Sequence, residues 1–288
     1  MMTKDTIFIT GAATGIGLAT ARKLDGLGWQ VFAGVLPGQD TSDLQAGGTK
    51  ISPIEVDITD DKMVRDAAEF VADQVGINGL RALINNAGVA HLGSGVLAGA
   101  SIEETRQLFE INVFGAIRVT QAFLPLLHQY GRARIVNMSS GAVRVQVPTS
   151  GTYTMSKYAI EGFTKTLRYE LAPFGIEVTA IEPGGVRTPM TDGAEANIQR
   201  VWESMSPEVR QRYEATLRPA NENLVKTLET ANSPEYIADG IIHALTTDNP
   251  RPRYTVGKET RPVPILQRLL SEKMYERLMM GQFGLKRK

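Results

Sequence analysis

Residues 6–17 read TIFITGAATGIG: the β-branched run Thr6 to Thr10 ends at Gly11, and a helical stretch follows from Ile16 to Leu27. Glycines stand at 11, 15 and 17, a G-x-x-x-G-x-G spacing at a strand-to-helix turn. Gly11 permits the tight turn, Gly15 lets the backbone approach a pyrophosphate, and Gly17 lets helix and strand pack closely. The unpaired N–H groups of the helix's first turn, with its dipole, suit an anion. Packing alone would also use such a turn; its place after the first strand favours the anion.

The same rhythm extends outward. GWQVFAGV supplies a second strand over 30–35, ISPIEV a third over 51–56, and Asp60 caps a helix running to Val75. RALINNAG (81–88) is a fourth strand running into a turn, 103–128 a long helix, and ARIVNMSS (133–140) a fifth strand. A second long helix covers Gly151 to Pro173, and IEVTAIEP (176–183) is the sixth strand. Near-continuous apolar strands separated by helices imply an α/β fold: a parallel sheet covered on both faces. Right-handed crossovers make that sheet doubly wound and Rossmann-like. No linker-like composition divides the chain, so residues 1–288 are read as one domain. The rhythm breaks over 186–232, where Pro189, Pro207 and Pro219 punctuate short helical pieces. Such an irregular insertion reads as a substrate lid. Pro234 opens a helix to Leu245 and RYTVG (253–257) is a last strand. Residues 258–288 form a helical extension, helical over 263–280.

Composition removes several function classes. At 288 residues, 42% hydrophobic and 22% charged, the chain is ordinary globular material. Basic and acidic residues both number 31, so the net charge is zero and no nucleic-acid footprint is visible. Near-neutrality also favours association into an oligomer. The absence of cysteine excludes a disulfide scaffold, a thiolate nucleophile and a cysteine-ligated zinc. His91, His128 and His243 are scattered with no metal-like spacing, so no metal site is expected. The opening residues hold too few apolar side chains for a secretory signal. No uncharged run approaches the roughly 18 residues of a membrane span. A cytoplasmic protein is expected.

Further motifs follow in order. Asn85-Asn86-Ala87-Gly88 comes after the fourth strand, and Asn112 lies in FEINVFG within the long helix. Ser140 ends the fifth strand in NMSS, thirteen positions before Tyr153, and Tyr153 and Lys157 stand in YTMSK. PGGVRT (183–188) follows the sixth strand. With the glycine turn, this set resembles the short-chain dehydrogenase/reductase family over residues 3–190, and more loosely over 234–257. The resemblance implies a nicotinamide-dependent oxidoreductase with Asn112, Ser140, Tyr153 and Lys157 as its catalytic tetrad. It also implies a dinucleotide on Gly11, Thr14, Gly15, Ile16 and Gly17, with Leu36, Asp57 and Ile58 along its adenosine end. Asn86, Ala87 and Gly88 would adjoin it. Pro183, Gly184, Val186 and Thr188 would meet the nicotinamide, whose ribose Lys157 would hold beside Tyr153. Two positions keep a second reading: Asp57 as a turn cap before Thr59 and Asp60, and Ser139 as the hydroxyl in place of Ser140.

Tyr153 and Lys157, four residues apart, share one face of a helix. A free phenol has a pKa near 10, too high for useful proton exchange at neutral pH. An ammonium about 5 Å away, at an effective dielectric of ~20, favours the phenolate by roughly 3 kcal/mol, or ~2 pKa units. Tyr153 would then exchange a proton with an alcohol or ketone while Ser140 holds the substrate oxygen. In the family's terms, Asn112 would organise a water linking Lys157 to bulk solvent. The long helices over 103–128 and 151–173, which look like those through which family members assemble, would join a homodimer or homotetramer.

The second strand ends in Gly34-Val35-Leu36-Pro37, with neither the acid that takes ribose hydroxyls nor a base for a 2′-phosphate. Without a cation for the phosphate, NAD is favoured over NADP. VFAGVL and RYTVG are similar to the 17β-hydroxysteroid, retinol and 3-hydroxybutyrate dehydrogenase branch, which implies a hydrophobic secondary alcohol or ketone as substrate. Arg144, Gln146, Val147 and residues 190–205 are candidate substrate contacts, with ordinary surface loop as the other reading. A 3-oxoacyl-thioester reductase fits the same motifs; a non-catalytic dinucleotide sensor would be expected to lack Tyr153 or Lys157. Leu266, Leu269, Leu270, Met274 and Leu278 recur at helical spacing among Arg268, Lys273 and Arg277. Packing over the domain or a neighbouring subunit is favoured there over contact with a membrane surface.

Overall fold

Seven strands hydrogen-bond side by side in the order β3-β2-β1-β4-β5-β6-β7, every neighbouring pair parallel. The computed structural model describes residues 5–46, 48, 50–92 and 95–285; the ends of the expected domain, 1–4 and 286–288, lie outside them. The strands are β1 Thr6–Ile9, β2 Gln30–Val35, β3 Ile51–Glu55, β4 Ala82–Asn85, β5 Arg134–Met138, β6 Glu177–Pro183 and β7 Arg253–Val256. Between them run α1 Gly15–Gly26, α2 Ser42–Gln45, α3 Asp61–Val75, α4 Ile102–Phe109, α5 Ala116–Tyr130, α6 Ala142–Val145 and α7 Gly151–Leu171. Then come α8 Ala194–Ser204, α9 Pro207–Glu229, α10 Pro234–Thr246, α11 Val263–Leu269 and α12 Glu272–Gln282. Strand order reverses between β1 and β4, and a crevice opens beyond the carboxyl ends of strands at such a point.

Both faces of the sheet are covered. On one, Ala21 and Leu24 of α1 and Ile237, Ile241 and Leu245 of α10 pack on Ile7, Ile9 and Val31. On the other, Val64 and Val71 of α3, Phe123 and Leu127 of α5 and Leu167 of α7 pack on Phe8, Leu83 and Ile135. Alternate side chains along each strand feed opposite layers, so a run such as Ile7-Phe8-Ile9 is apolar throughout.

Three segments differ from their sequence reading. The helix expected over 103–128 is interrupted at Glu110–Gly115 by a π-helical turn that holds Asn112. The pieces expected around Pro219 are one 23-residue helix, α9, that passes through it. Proline removes a single bond there, and α9 is held from outside: Gly284 leaves room for Pro219, and Asn223 Nδ2 donates to the Gln282 carbonyl at 2.9 Å. The helix expected over 263–280 divides at Leu270, because Ser271 caps a new helix by accepting from Met274 N at 3.4 Å.

Phe123 is fully buried and stacks on Phe8 with ring centroids 4.2 Å apart, joining α5 to the central strand. Phe123→Ala should cost about 3–5 kcal/mol of stability, read from the urea midpoint at constant slope.

Candidate active site

The glycine turn is held by the strand beside it. Thr10 Oγ1 accepts from the N–H groups of Asn86 and Ala87, both at 3.0 Å, and Asn86 Nδ2 donates to the carbonyls of Thr10 and Gly11, both at 2.9 Å. Asn86 is therefore a strap between β1 and β4. Gly17 packs so closely that a Cβ there would stand 2.3 Å from the Gly11 carbonyl oxygen. Gly11 and Gly15 both have positive φ, +65° and +55°. Thr14 makes no side-chain cap to α1 and no acid occupies the first turn, so its N–H groups remain for an anion.

This turn opens on a cleft of about 1680 Å³ that extends from β2 to the C-terminal helices. Gly11, Thr14, Gly15 and Ile16 line its near end, with Leu36, Asp57 and Ile58 beside them. Asn86, Ala87 and Gly88 line the middle, and Ser140, Tyr153 and Lys157 the deeper wall. Pro183, Gly184, Val186 and Thr188 close the opposite side. Of the residues expected to serve catalysis or cofactor binding, only Gly17 and Asn112 lie behind the wall. Asp57 Oδ1 accepts from Thr59 N at 2.9 Å and Thr59 Oγ1 at 2.7 Å, so its turn-capping reading is realised while the residue still faces the cleft.

Ser140 and Tyr153 meet. The Tyr153 hydroxyl is hydrogen-bonded to the Ser140 side chain, whose Oγ also accepts from Ala142 N at 3.1 Å. Ser139 instead buries its hydroxyl without a partner among the described residues. Lys157 is 6% exposed; its Nζ donates to the Met138 carbonyl at 3.0 Å and lies 5.6 Å from the centre of the Tyr153 ring. Asn112 Oδ1 accepts from Val89 N at 2.8 Å, and its Nδ2 donates to Val89 O at 2.8 Å and Ser156 Oγ at 3.1 Å. Both amide hydrogens are thus committed, which leaves the second lone pair of Oδ1 and the main chain for any water placed by Asn112. Gly88 completes the pocket: a Cβ there would approach Asn112 Oδ1 to 3.0 Å and Lys157 Nζ to 3.6 Å.

The electrostatics correct one expectation. Burial pushes the Tyr153 hydroxyl above its ordinary value, opposed by the Ser140 hydrogen bond, and no lowering by Lys157 appears. Burial also pulls the Lys157 ammonium down to about 8. The desolvation that brings the two groups together disfavours the charged form of each, and here it outweighs their attraction.

Other residues in this region were not found from the sequence. Asn232 Nδ2 donates to the Gly185 carbonyl at 2.9 Å, and Glu259 Oε1 accepts from Gly185 N at 2.6 Å. Together they fix the turn after β6, but both come from distant sequence and carry no local pattern. Arg144, expected to meet substrate, instead forms a two-bonded ion pair with buried Glu182, at 2.9 and 3.0 Å. Gln146, likewise expected there, donates to Val143 O at 3.0 Å and Tyr158 OH at 2.7 Å. Val147 does line the cleft, as do Met190, Ile198, Val201, Trp202 and Met205. No cluster of metal-ligating side chains exists among the described residues.

A dinucleotide fits this architecture: a glycine cradle, an uncapped helix N-terminus and a Ser-Tyr-Lys wall occupy one continuous cleft. The family model for short chain dehydrogenase matches residues 5–199. The chain belongs to the short-chain dehydrogenase/reductase family. Dehydrogenase/reductase SDR family member 9 of Bos taurus is 37% identical over 263 residues, 88% of this chain and 81% of that protein. Retinol dehydrogenase 5 of Mus musculus is 36% identical over 261 residues, with the same coverages of 88% and 81%. A short chain dehydrogenase from Burkholderia cenocepacia, solved in complex with NADP, superposes with a TM-score of 0.72 at 25% identity, covering 96% of this chain and 99% of that one. As a short-chain dehydrogenase/reductase with its Ser-Tyr-Lys cluster in place, the protein is an NAD(P)-dependent oxidoreductase.

Two outcomes follow from the geometry. Gly17→Val should abolish binding of NADH in a fluorescence titration, since its side chain would force the Gly11 carbonyl and Asn86 out of place. Lys157 titrates near 8 in the folded chain and at the ordinary 10.5 when unfolded, so between those values the unfolded chain holds more protons and stability rises with pH. Lys157→Met, which removes that buried charge, should be more stable than the parent at pH 7, with the gap narrowing by pH 10 in urea unfolding.

Proposed function

We propose that this oxidoreductase interconverts a hydrophobic secondary alcohol and its ketone, with Tyr153 as the acid/base. The observation that carries the reading is the hydrogen-bonded pair of Ser140 and Tyr153 hydroxyls in a cleft to which Ile198, Val201, Trp202, Met205 and Leu266 contribute apolar wall. An apolar wall rewards an apolar substrate, and two convergent hydroxyls orient a single oxygen on it. Tyr153 gives its proton to the carbonyl oxygen in reduction or takes it from the alcohol in oxidation; Ser140 donates to that oxygen as charge develops. The dinucleotide, when bound, supplies or accepts the hydride. Lys157 would hold its ribose, and Val186 and Thr188 its carboxamide. The retinol dehydrogenase named among the relatives supports an apolar substrate.

NAD is the preferred cofactor in this reading. Leu36, Gln39, Asp57 and Ile58 line the adenosine end of the cleft and none is cationic, so a 2′-phosphate would meet no counter-charge. The Burkholderia relative carries NADP, which makes the choice a property of this end of the cleft rather than of the fold. The segment 186–232, with its own small core of Val201, Met205 and Leu217 against Val96, acts as the substrate lid. We place the enzyme in the cytoplasm as a homodimer or homotetramer joined through α5 and α7; Met155 and Tyr169 of α7 are 48% and 69% exposed, which suits a subunit contact.

Tyr153→Phe should keep NADH affinity while lowering turnover of a hydrophobic secondary alcohol by about 10²–10⁴-fold; undiminished turnover would exclude Tyr153 as the proton carrier. Parallel titrations should show tighter binding of NADH than NADPH, and the reverse order would overturn the cofactor preference.

A further inference from the structure

The C-terminal extension carries two apolar stripes where packing requires one. Val263, Leu266 and Leu270, with Tyr275 and Met279 of α12, pack inward against Val145. Ile265 and Leu269, four residues apart on α11, are 61% and 76% exposed; Met274 and Leu278, four apart on α12, are 54% and 47% exposed. A surface helix turns its apolar face to the core and leaves a polar face in water. The packing favoured from the sequence is thus satisfied by the inner stripe, while Leu278 stands at the cleft and Ile265, Leu269 and Met274 remain mostly exposed on the outer one. Arg268, Lys273 and Arg277, all exposed, are interleaved with it. Residues 258–288 contain eight Lys and Arg against three Glu (Glu259, Glu272 and Glu276), a net of +5. Since the whole chain is neutral, residues 1–257 carry −5.

We propose that this face docks on an anionic lipid bilayer, with Ile265, Leu269 and Met274 entering the interface and Arg268, Lys273 and Arg277 resting on the headgroups. A second copy of the chain fits the same face less well. A two-fold contact sets a patch against itself, and here that opposes two cationic segments. An anionic bilayer neutralises the extension and repels the acidic remainder, which orients the molecule with α11 and α12 towards the lipid. Leu266, Arg277 and Leu278 of the same two helices line the cleft. An apolar compound dissolved in the bilayer would therefore reach Tyr153 through the docked face without crossing bulk water. The docking stands on exposure and charge alone and holds whichever substrate is reduced.

The test is sedimentation of the full chain with phosphatidylcholine vesicles, with and without phosphatidylglycerol. The parent should bind only the vesicles containing phosphatidylglycerol, and less as salt rises. The pairs Ile265→Glu with Leu269→Glu, and Arg268→Glu with Lys273→Glu, should each lower the bound fraction at least about tenfold. Unchanged far-UV circular dichroism would show both folded; if either is not, the parent's lipid and salt dependence decides. Equal binding to both vesicle types, salt-insensitive binding, or retention by either pair would overturn the proposal. So would a parent that binds no vesicle and forms a dimer these substitutions dissociate.

Discussion

An ammonium buried to 6% exposure, with no carboxylate at ion-pair distance among the described residues, is the constraint around which the site is arranged. Taking such a charge out of water costs several kcal/mol unless polar atoms surround it. Lys157 donates to the Met138 carbonyl at the end of β5, and Gly88 and the Asn112 amide stand close by. It is held away from solvent because α7 is tied both to the sheet and to the π turn: Asn137 Nδ2 donates to Thr164 Oγ1 at 2.9 Å, and Asn112 Nδ2 to Ser156 Oγ. The depressed basicity of Lys157 is the measure of that confinement. With its pKa drawn down to about 8 by burial, Lys157 exchanges its proton much nearer neutral pH than a solvated lysine does.

The same polar lattice sets the geometry of the rest. Asn85 Nδ2 donates to Thr120 Oγ1 at 2.9 Å and to Asn137 Oδ1 at 2.8 Å, so β4, β5, α5 and α7 are joined by buried amides and hydroxyls inside an otherwise apolar layer. Apolar packing would tolerate a helix sliding by a fraction of a turn. A chain of directional bonds in a low-dielectric interior does not. The π turn belongs to this lattice. By widening one turn before α5, it carries Asn112 against both backbone groups of Val89, and so ties the helix to the loop that follows Asn86.

Much of this was legible because it is local. The apolar strands, the glycine spacing and the order of Asn112, Ser140, Tyr153 and Lys157 are short-range patterns, and each follows from the geometry of a turn, strand or helix. What was not legible depends on residues far apart in the chain. Arg144 reads as a substrate contact until Glu182 is seen across the β5–β6 edge. Pro219 reads as a helix break until the C-terminal tail is seen holding α9. Asn112 alone gives no sign of a π turn, because an asparagine in a helix is only mildly unfavourable. The lowered phenol pKa was a correct Coulomb argument with the larger opposing effect missing, since desolvation cannot be judged until burial is known.

Arg144 shows how the distant parts act on the chemistry. It lies four residues beyond Ser140, on the short helix α6, and its guanidinium is split between two duties. One is the pair with Glu182, which is fully buried and also accepts from Thr255 Oγ1 at 2.7 Å. The other is Gln267 of α11, whose Oε1 accepts from Arg144 NH1 at 3.2 Å, while Tyr275 of α12 donates its hydroxyl to the Arg144 carbonyl at 2.7 Å. The loop that presents Ser140 is therefore clamped from below by β6 and β7 and from outside by the extension. Arg253 Nε also lies 3.5 Å from Glu182 but is 44% exposed, so without Arg144 the buried carboxylate would keep only the weaker, more solvated of its two cations. Through Gln267 and Tyr275, α11 and α12 are hydrogen-bonded to α6 a few residues from Ser140, so the extension is built into the support of the loop that carries that hydroxyl.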